Sequence, residues 1–278
     1  MMMNAAVAGT SSSSTSSHNL QRGMAPGARM AGAMRRPQIV RSGAGRRQSG
    51  RPCRSASPLA NPGNQMLVIV PPHPLVGHWI AVARNKLSPP AMFRNALSEL
   101  GRLLIYEACK DFLPTIEGQV ETPLAIADVS VIDPERPIKV VPILRAGLVL
   151  LEDAATLLPN AQTYHLGLVR DEETLQPSIY LDKLPPSFSA EDKIIVSDPM
   201  LATGGTLIYA LDLITSRGAL PENIRVVCAL AAPPALTKLS EQFPGLRVYA
   251  GIIDPELNDK GYIVPGVGDA GDRAYGTL

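Results

Sequence analysis

The residues best suited to chemistry stand in one short run, Asp198-Pro199-Met200-Leu201-Ala202-Thr203-Gly204-Gly205-Thr206, wedged between two apolar stretches. Backbone amides at a helix start, with the helix dipole behind them, hold a phosphate dianion. Glycines let the chain approach such a group closely, and the hydroxyls of Thr203 and Thr206 add donors. A carboxylate at Asp198 would repel phosphate, so it suits sugar hydroxyls, with a nearby Mg2+ as the other option. Two arginines stand at comparable places, Arg145 in Leu144-Arg145-Ala146-Gly147 and Arg170 just before Asp171-Glu172-Glu173-Thr174. A guanidinium forks onto an anionic group. The ligand so described has a phosphate at one end, a sugar in the middle and a second anion at the other end.

These groups can meet only if the fold brings several strand ends together. Five β-rich apolar runs predict buried parallel strands: IKVVPI (138–143), TYHLGL (163–168), KIIVS (193–197), IRVVCALA (224–231) and LRVYAGI (246–252). Helical spacing predicts helices over 93–113, 146–158, 205–218 and 233–245, the last two ending at Gly218 and at Pro244-Gly245. Strand and helix alternate, so the expected fold is α/β with a mainly parallel sheet flanked by helices. Ligands of such sheets sit beyond the carboxyl ends of the strands, where Arg145, Arg170 and Asp198 all fall. The polar, proline-punctuated span 171–192 breaks the alternation and predicts a projecting arm.

Several function classes fall away. No GxxxxGK occurs, so a P-loop kinase is unsupported. Gly266 to Gly271 matches GxGxxG, but seven residues follow it and no βαβ unit can form. His73 and His78 lack a nearby third ligand, and the three cysteines, Cys53, Cys109 and Cys228, have neither zinc nor disulfide spacing. Cys109 and Cys228 lie in apolar contexts and are expected to be buried thiols.

The two ends of the chain differ in composition. Residues 1–60 hold nine arginines, SSSSTSS at 11–17, and no Asp or Glu, since the first acid is Glu99. That composition predicts an organelle transit peptide, with serine and alanine favouring the chloroplast over the mitochondrion. The whole chain is 26 basic against 25 acidic residues; without the nine arginines it is 17 against 25, a net charge of −8. Residues 61–278 therefore read as one acidic domain that gains no affinity for nucleic acid from its charge, and no apolar run is long enough to span a membrane.

VPILRAG, the arginine followed by DEET, SDPMLATGGT and GYIVPGVGDAGD stand here in the order in which the uracil phosphoribosyltransferases carry them. The chain resembles that family from about His73 to its end, most of all the plant and algal plastid-type members, through PPHPLVGHW and AAPPAL. The resemblance implies a type I phosphoribosyltransferase-like sheet with a small hood. It also implies transfer of the phosphoribosyl group of 5-phosphoribosyl 1-diphosphate (PRPP) to uracil, giving UMP and diphosphate. It makes Asp198 to Thr206 the PRPP loop and places Arg145 and Arg170 on the PRPP side. Ile263, Gly268, Asp269 and Ala270, in a base-binding segment over 252–278, become uracil contacts, with Asp269 also near the phosphoribosyl group. The implied cofactor is Mg2+ carried by PRPP without a side-chain ligand, and the implied assembly is a homo-oligomer, dimer or tetramer. The chain departs from the family's pattern in having Ser197 where a valine is more usual, and it has a single acid before Pro199 where other type I enzymes have two. A phosphoribosyltransferase for another base and a non-catalytic PRPP or UMP sensor on the same fold remain the alternatives.

Overall fold

The computed structural model describes residues 65–170 and 177–277. The expected transit segment, 1–60, and the acidic run Asp171–Thr174 lie outside the described residues. In chain order the elements are β1 (Leu67–Ile69), α1 (Pro74–Arg84), α2 (Pro90–Cys109), β2 (Thr115–Glu121), β3 (Ile126–Ile132), β4 (Lys139–Leu144), β5 (Gln162–Thr163), β6 (Leu166–Arg170) and β7 (Pro177–Asp182). They continue with β8 (Ile194–Ser197), β9 (Met200–Leu201), α3 (Gly205–Ser216), β10 (Ile224–Ala231), α4 (Pro233–Gln242), β11 (Arg247–Ile253), β12 (Glu256–Leu257), β13 (Ile263–Val264) and α5 (Ala270–Tyr275).

The main sheet runs β1-β11-β10-β8-β4-β6-β7. All neighbours are parallel except the edge pair β6 and β7, which is antiparallel. β10 lies inside the sheet with all eight residues buried, as expected of a strand covered on both faces. On one face Leu207, Leu211 and Ile214 of α3 and Leu239 of α4 pack with Val226 and Cys228. On the other face Phe93, Leu97 and Leu100 of α2 and Ile80 of α1 pack with Ala229 and Leu230. The hydrophobic effect thus fixes two helical layers on one sheet, and the loops at the carboxyl ends of the strands are left at a common rim.

Three expectations need correction. Residues 146–158 do not form an α-helix but short 3-10 segments, Ala146–Leu151 and Ala154–Thr156. Their apolar spacing reports burial, with Val149 and Leu150 fully covered, rather than helix type. α2 presses on this segment at Gly101, where a Cβ would lie 1.9 Å from the Leu150 carbonyl oxygen. TYHLGL divides into β5, which pairs with the start of β4, and β6, which pairs with its end. The span 171–192 is not a free arm over its described part: β7 pairs with β6, and Leu184 and Phe188 are buried in the core. The element that does project is the hairpin β2–β3, whose seven-residue first strand is exposed throughout. Also unforeseen was α1, capped by His73, whose Nδ1 accepts from the Leu75 amide at 3.1 Å.

Candidate active site

At the carboxyl end of β8 the Asp198 amide still donates to the Val227 carbonyl at 3.1 Å. The Pro199 carbonyl then accepts from the amides of Ala229 and Leu230 at 3.1 and 3.0 Å. β9 rejoins β10 beyond it, and the buried Leu201 ties this part of the loop into the core. Leu201 can therefore meet a ligand only through its backbone. Gly204 precedes α3 with φ +84°, a left-handed conformation that glycine adopts without a steric cost. As the N-cap of α3, Gly204 brings no side chain to the first turn, whose amides point out of the helix end, the geometry that suits an anion. On the far side Lys238 Nζ donates to the Thr203 carbonyl at 3.2 Å. The Asp198 carboxylate accepts from the Met200 amide at 3.4 Å, the short-range turn that holds an Asp at a loop start.

Arg145 follows a cis peptide at the end of β4. Its side chain is 57% exposed and reaches Asp272 of α5, 3.3 Å away. The Tyr275 hydroxyl donates to the Arg145 carbonyl at 3.4 Å. The buried Ser197 hydroxyl donates to the Gly147 carbonyl at 2.9 Å. A serine in that position thus ties the Arg145 loop to the end of β8, a contact valine could not make. Arg170 ends β6, two strands from β8; its side chain lies outside what the structure describes.

The C-terminal segment forms the hood. β12 and β13 pair antiparallel, and the Asn258 carboxamide oxygen accepts from the amides of Lys260 and Tyr262 at 3.0 and 2.9 Å. The chain then turns through Gly266 and Gly268, at φ +54° and +78°. Asp269 accepts from the Asp272 amide at 2.8 Å and so starts α5.

These segments enclose one cavity of about 730 Å3. Arg145, Asp198, Pro199, Met200 and Thr206 line it from the strand ends, and Asp269, Ala270 and Gly271 line it from the hood. Two of the four expected base contacts, Asp269 and Ala270, are therefore on its wall. Ile263 is buried in the core at 4% exposure and can contribute only backbone, and Gly268 lies beside the wall rather than on it. Ala202, Thr203, Gly204 and Gly205 bridge the wall residues Met200 and Thr206 without themselves lining the cavity.

Tyr180 and Gly271 line it too, unforeseen from the sequence. Tyr180 is the extra residue of a β-bulge: Gly167 faces Leu181 and Leu168 faces Ile179. Bulges re-aim side chains near sites in this way, and no local sequence signal marked this one. Gly271, inside the GxGxxG match, could have been read with its neighbours.

An arginine, an acid and a glycine–threonine helix start thus gather on one rim of a mostly parallel sheet, the arrangement expected of a type I phosphoribosyltransferase. Residues 70–277 match the family model described as uracil phosphoribosyltransferase. A protein of that name from Nicotiana tabacum is 59% identical over 223 residues, covering 80% of this chain and 100% of its own length. "Uracil phosphoribosyltransferase, chloroplastic" from Arabidopsis thaliana is 59% identical over 217 residues, 78% of this chain and 73% of that protein. A solved structure from Aquifex aeolicus superposes with a TM-score of 0.70 at 41% identity, covering 76% of this chain and 99% of the other. The chain belongs to the uracil phosphoribosyltransferase family.

Proposed function

We propose that the 730 Å3 cavity is where this chain carries out its family's reaction, uracil and PRPP giving UMP and diphosphate in pyrimidine salvage. The observation that carries the reading is that Asp198 and Thr206 share that cavity with Asp269 and Ala270, so a sugar phosphate and a base would lie side by side. The amides opening α3, with Thr203 and Thr206, take the 5′-phosphate. Asp198 accepts from the ribose hydroxyls, and Arg145 and Arg170 draw the diphosphate away as it leaves. Displacement at the anomeric carbon passes through an oxocarbenium-like state, so the chain supplies orientation and fixed charge rather than a covalent nucleophile.

Among the described residues no group of three or more His, Cys, Asp or Glu side chains could hold a metal. A Mg2+ would arrive with PRPP, held chiefly by diphosphate oxygens and water. When bound, the ion neutralises charge on the leaving diphosphate. The backbone around Gly268, Asp269 and Ala270 pairs with the alternating donors and acceptors of uracil. Cytosine is refused because its amine meets a donor.

UMP formation with a panel of bases tests the reading. Uracil should react and cytosine should not. Arg145→Ala and Asp198→Asn should each lower kcat/KM by about a hundredfold or more, with little change in Tm. Full activity in either variant would remove that residue from the mechanism, and a preference for another base would overturn the assignment of substrate.

Two further readings go with it. Residues 1–60 direct import into plastids, supported by their acid-free, arginine-rich composition and by the name of the Arabidopsis relative. N-terminal sequencing of stromal protein should begin near residue 60, and an intact Met1 there counts against import. The chain also works as a homo-oligomer, dimer or tetramer, supported by exposed Ile116, Val120, Ile126 and Val131 on the β2–β3 hairpin. Sedimentation at micromolar concentration should find no monomer; a monomer sinks this reading.

A further inference from the structure

The turn that carries Asp269 and Ala270 to the cavity is not part of the main sheet. Two long side chains suspend it instead from the end of α1. Arg273 Nη1 donates to the Val267 carbonyl at 2.7 Å and to the Ala83 carbonyl at 2.6 Å, and its Nη2 donates to the Asn85 carbonyl at 2.7 Å. The guanidinium also lies over the Phe93 ring, 4.2 Å from its centroid. Val267 belongs to the turn, Ala83 to the last turn of α1, and Asn85 to its C-cap. Carbonyls at a helix C-terminus lack intrahelical donors, so Arg273 satisfies them while fixing the turn.

The second attachment is Asp254, which is 3% exposed. It accepts from the Gly266 amide at 3.0 Å and from Arg84 Nη2 at 2.5 Å. Arg84 Nη1 donates in turn to the Gly266 carbonyl at 3.3 Å. Both attachments thus run to the same end of α1, and each holds one residue of the turn, Val267 or Gly266.

We propose that Arg273 is a positioning residue for the pyrimidine subsite: acting through Val267, it sets where the Asp269–Ala270 backbone stands in the cavity, and so governs affinity for the base far more than affinity for PRPP. This rests on the reading that Asp269 and Ala270 receive uracil. A purely structural role would act differently, loosening α5 and weakening both substrates together. Lysine keeps the charge but offers one nitrogen, and cannot reach three separate carbonyls with a planar fork.

The test is two-substrate steady-state kinetics on Arg273→Lys in the full chain, with Tm measured alongside. The KM for uracil should rise about tenfold or more, while the KM for PRPP stays within about twofold, since ångström-scale misplacement of a contact is costly where geometry is tight. Arg84→Lys, which loosens the Gly266 attachment, should show the same split and serves if Arg273→Lys does not fold. Ala270→Val, which adds bulk at the base end, is run in parallel. An unchanged uracil KM in Ala270→Val sinks the base-subsite reading and this inference with it. A uracil KM that responds to Ala270→Val, but is either unmoved by the arginine variants or rises with that for PRPP, sinks the inference alone.

Discussion

Asp111, which does not line the cavity, carries a pH-dependent contact. Its carboxylate accepts from Arg247 Nη1 at 2.7 Å and lies 3.7 Å from Arg225 Nη2. The Arg247 hydrogen bond holds its carboxyl below the ordinary value, partial desolvation opposes this, and the charges of Arg247 and Arg225 add to the lowering. A depressed folded-state value means that the stabilisation is complete above about pH 4, the unfolded range for aspartate, and fades as pH falls through the folded value. Asp111→Asn should therefore be less stable than the parent at pH 7, within the roughly 1 kcal/mol of an exposed pair. Denaturant unfolding should show the gap narrowing below about pH 4; a constant gap from pH 7 to 2 would refute the linkage.

The cavity residues on the strand ends were legible because their types are unusual where they stand. Arg145 and Asp198 interrupt apolar runs, and Thr206 opens a helix behind two glycines. Arg273 was not legible, because it ties the nearby Val267 carbonyl to carbonyls 188 and 190 positions away. Ile263 was expected among base contacts made mostly through backbone, and its side chain lies in the core, which leaves only its backbone for that part.

Among elements, the fully buried strands were the easiest to read. β10 occupies the expected 224–231, since a strand covered on both faces leaves an uninterrupted apolar run. α3 and α4 were legible from helical spacing closed by breakers, and their structured lengths stop two or three residues short of the predicted ends. The hairpin β2–β3 escaped although Ile116 and Val120 alternate with Thr115, Glu117, Gln119 and Glu121, a period-2 pattern on two strands that bury no residue fully. Its other signal was the turn Thr122–Ala125, where the Thr122 hydroxyl donates to the Ala125 carbonyl at 2.7 Å. α1 was hidden behind Pro71, Pro72 and Pro74, which read as breakers although a proline suits the first helical position.

For the molecule as a whole, the two rims of the sheet differ. The carboxyl rim carries the cavity and the exposed Arg145. The amino rim is tied by charge: Lys139 pairs with Asp192, Arg136 with Glu191 at 3.1 Å, and Arg247 with Asp111. Arg225 is buried there at 4% exposure, stacked 4.4 Å from the Phe112 ring centroid, and its Nε and Nη1 find no hydrogen-bond partner among the described residues. Between the rims lie the expected apolar thiols. Burial pushes Cys109 up to about 11, against the Arg225 charge, and raises Cys228 as well, with the Asp198 charge adding. Both therefore stay protonated at neutral pH and are poor nucleophiles.

The meeting of Gly101 with Leu150 reaches further than packing. The Leu150 segment begins one residue after Arg145, so α2, packed against that segment, backs the stretch that carries the proposed leaving-group arginine. Adding a single methyl in Gly101→Ala, remote in sequence from every reacting atom, would push that brace outward and take the guanidinium with it. Turnover should then fall by about tenfold or more while the enzyme remains folded by circular dichroism. Unaltered turnover in this variant would mean that the brace gives way before the arginine moves.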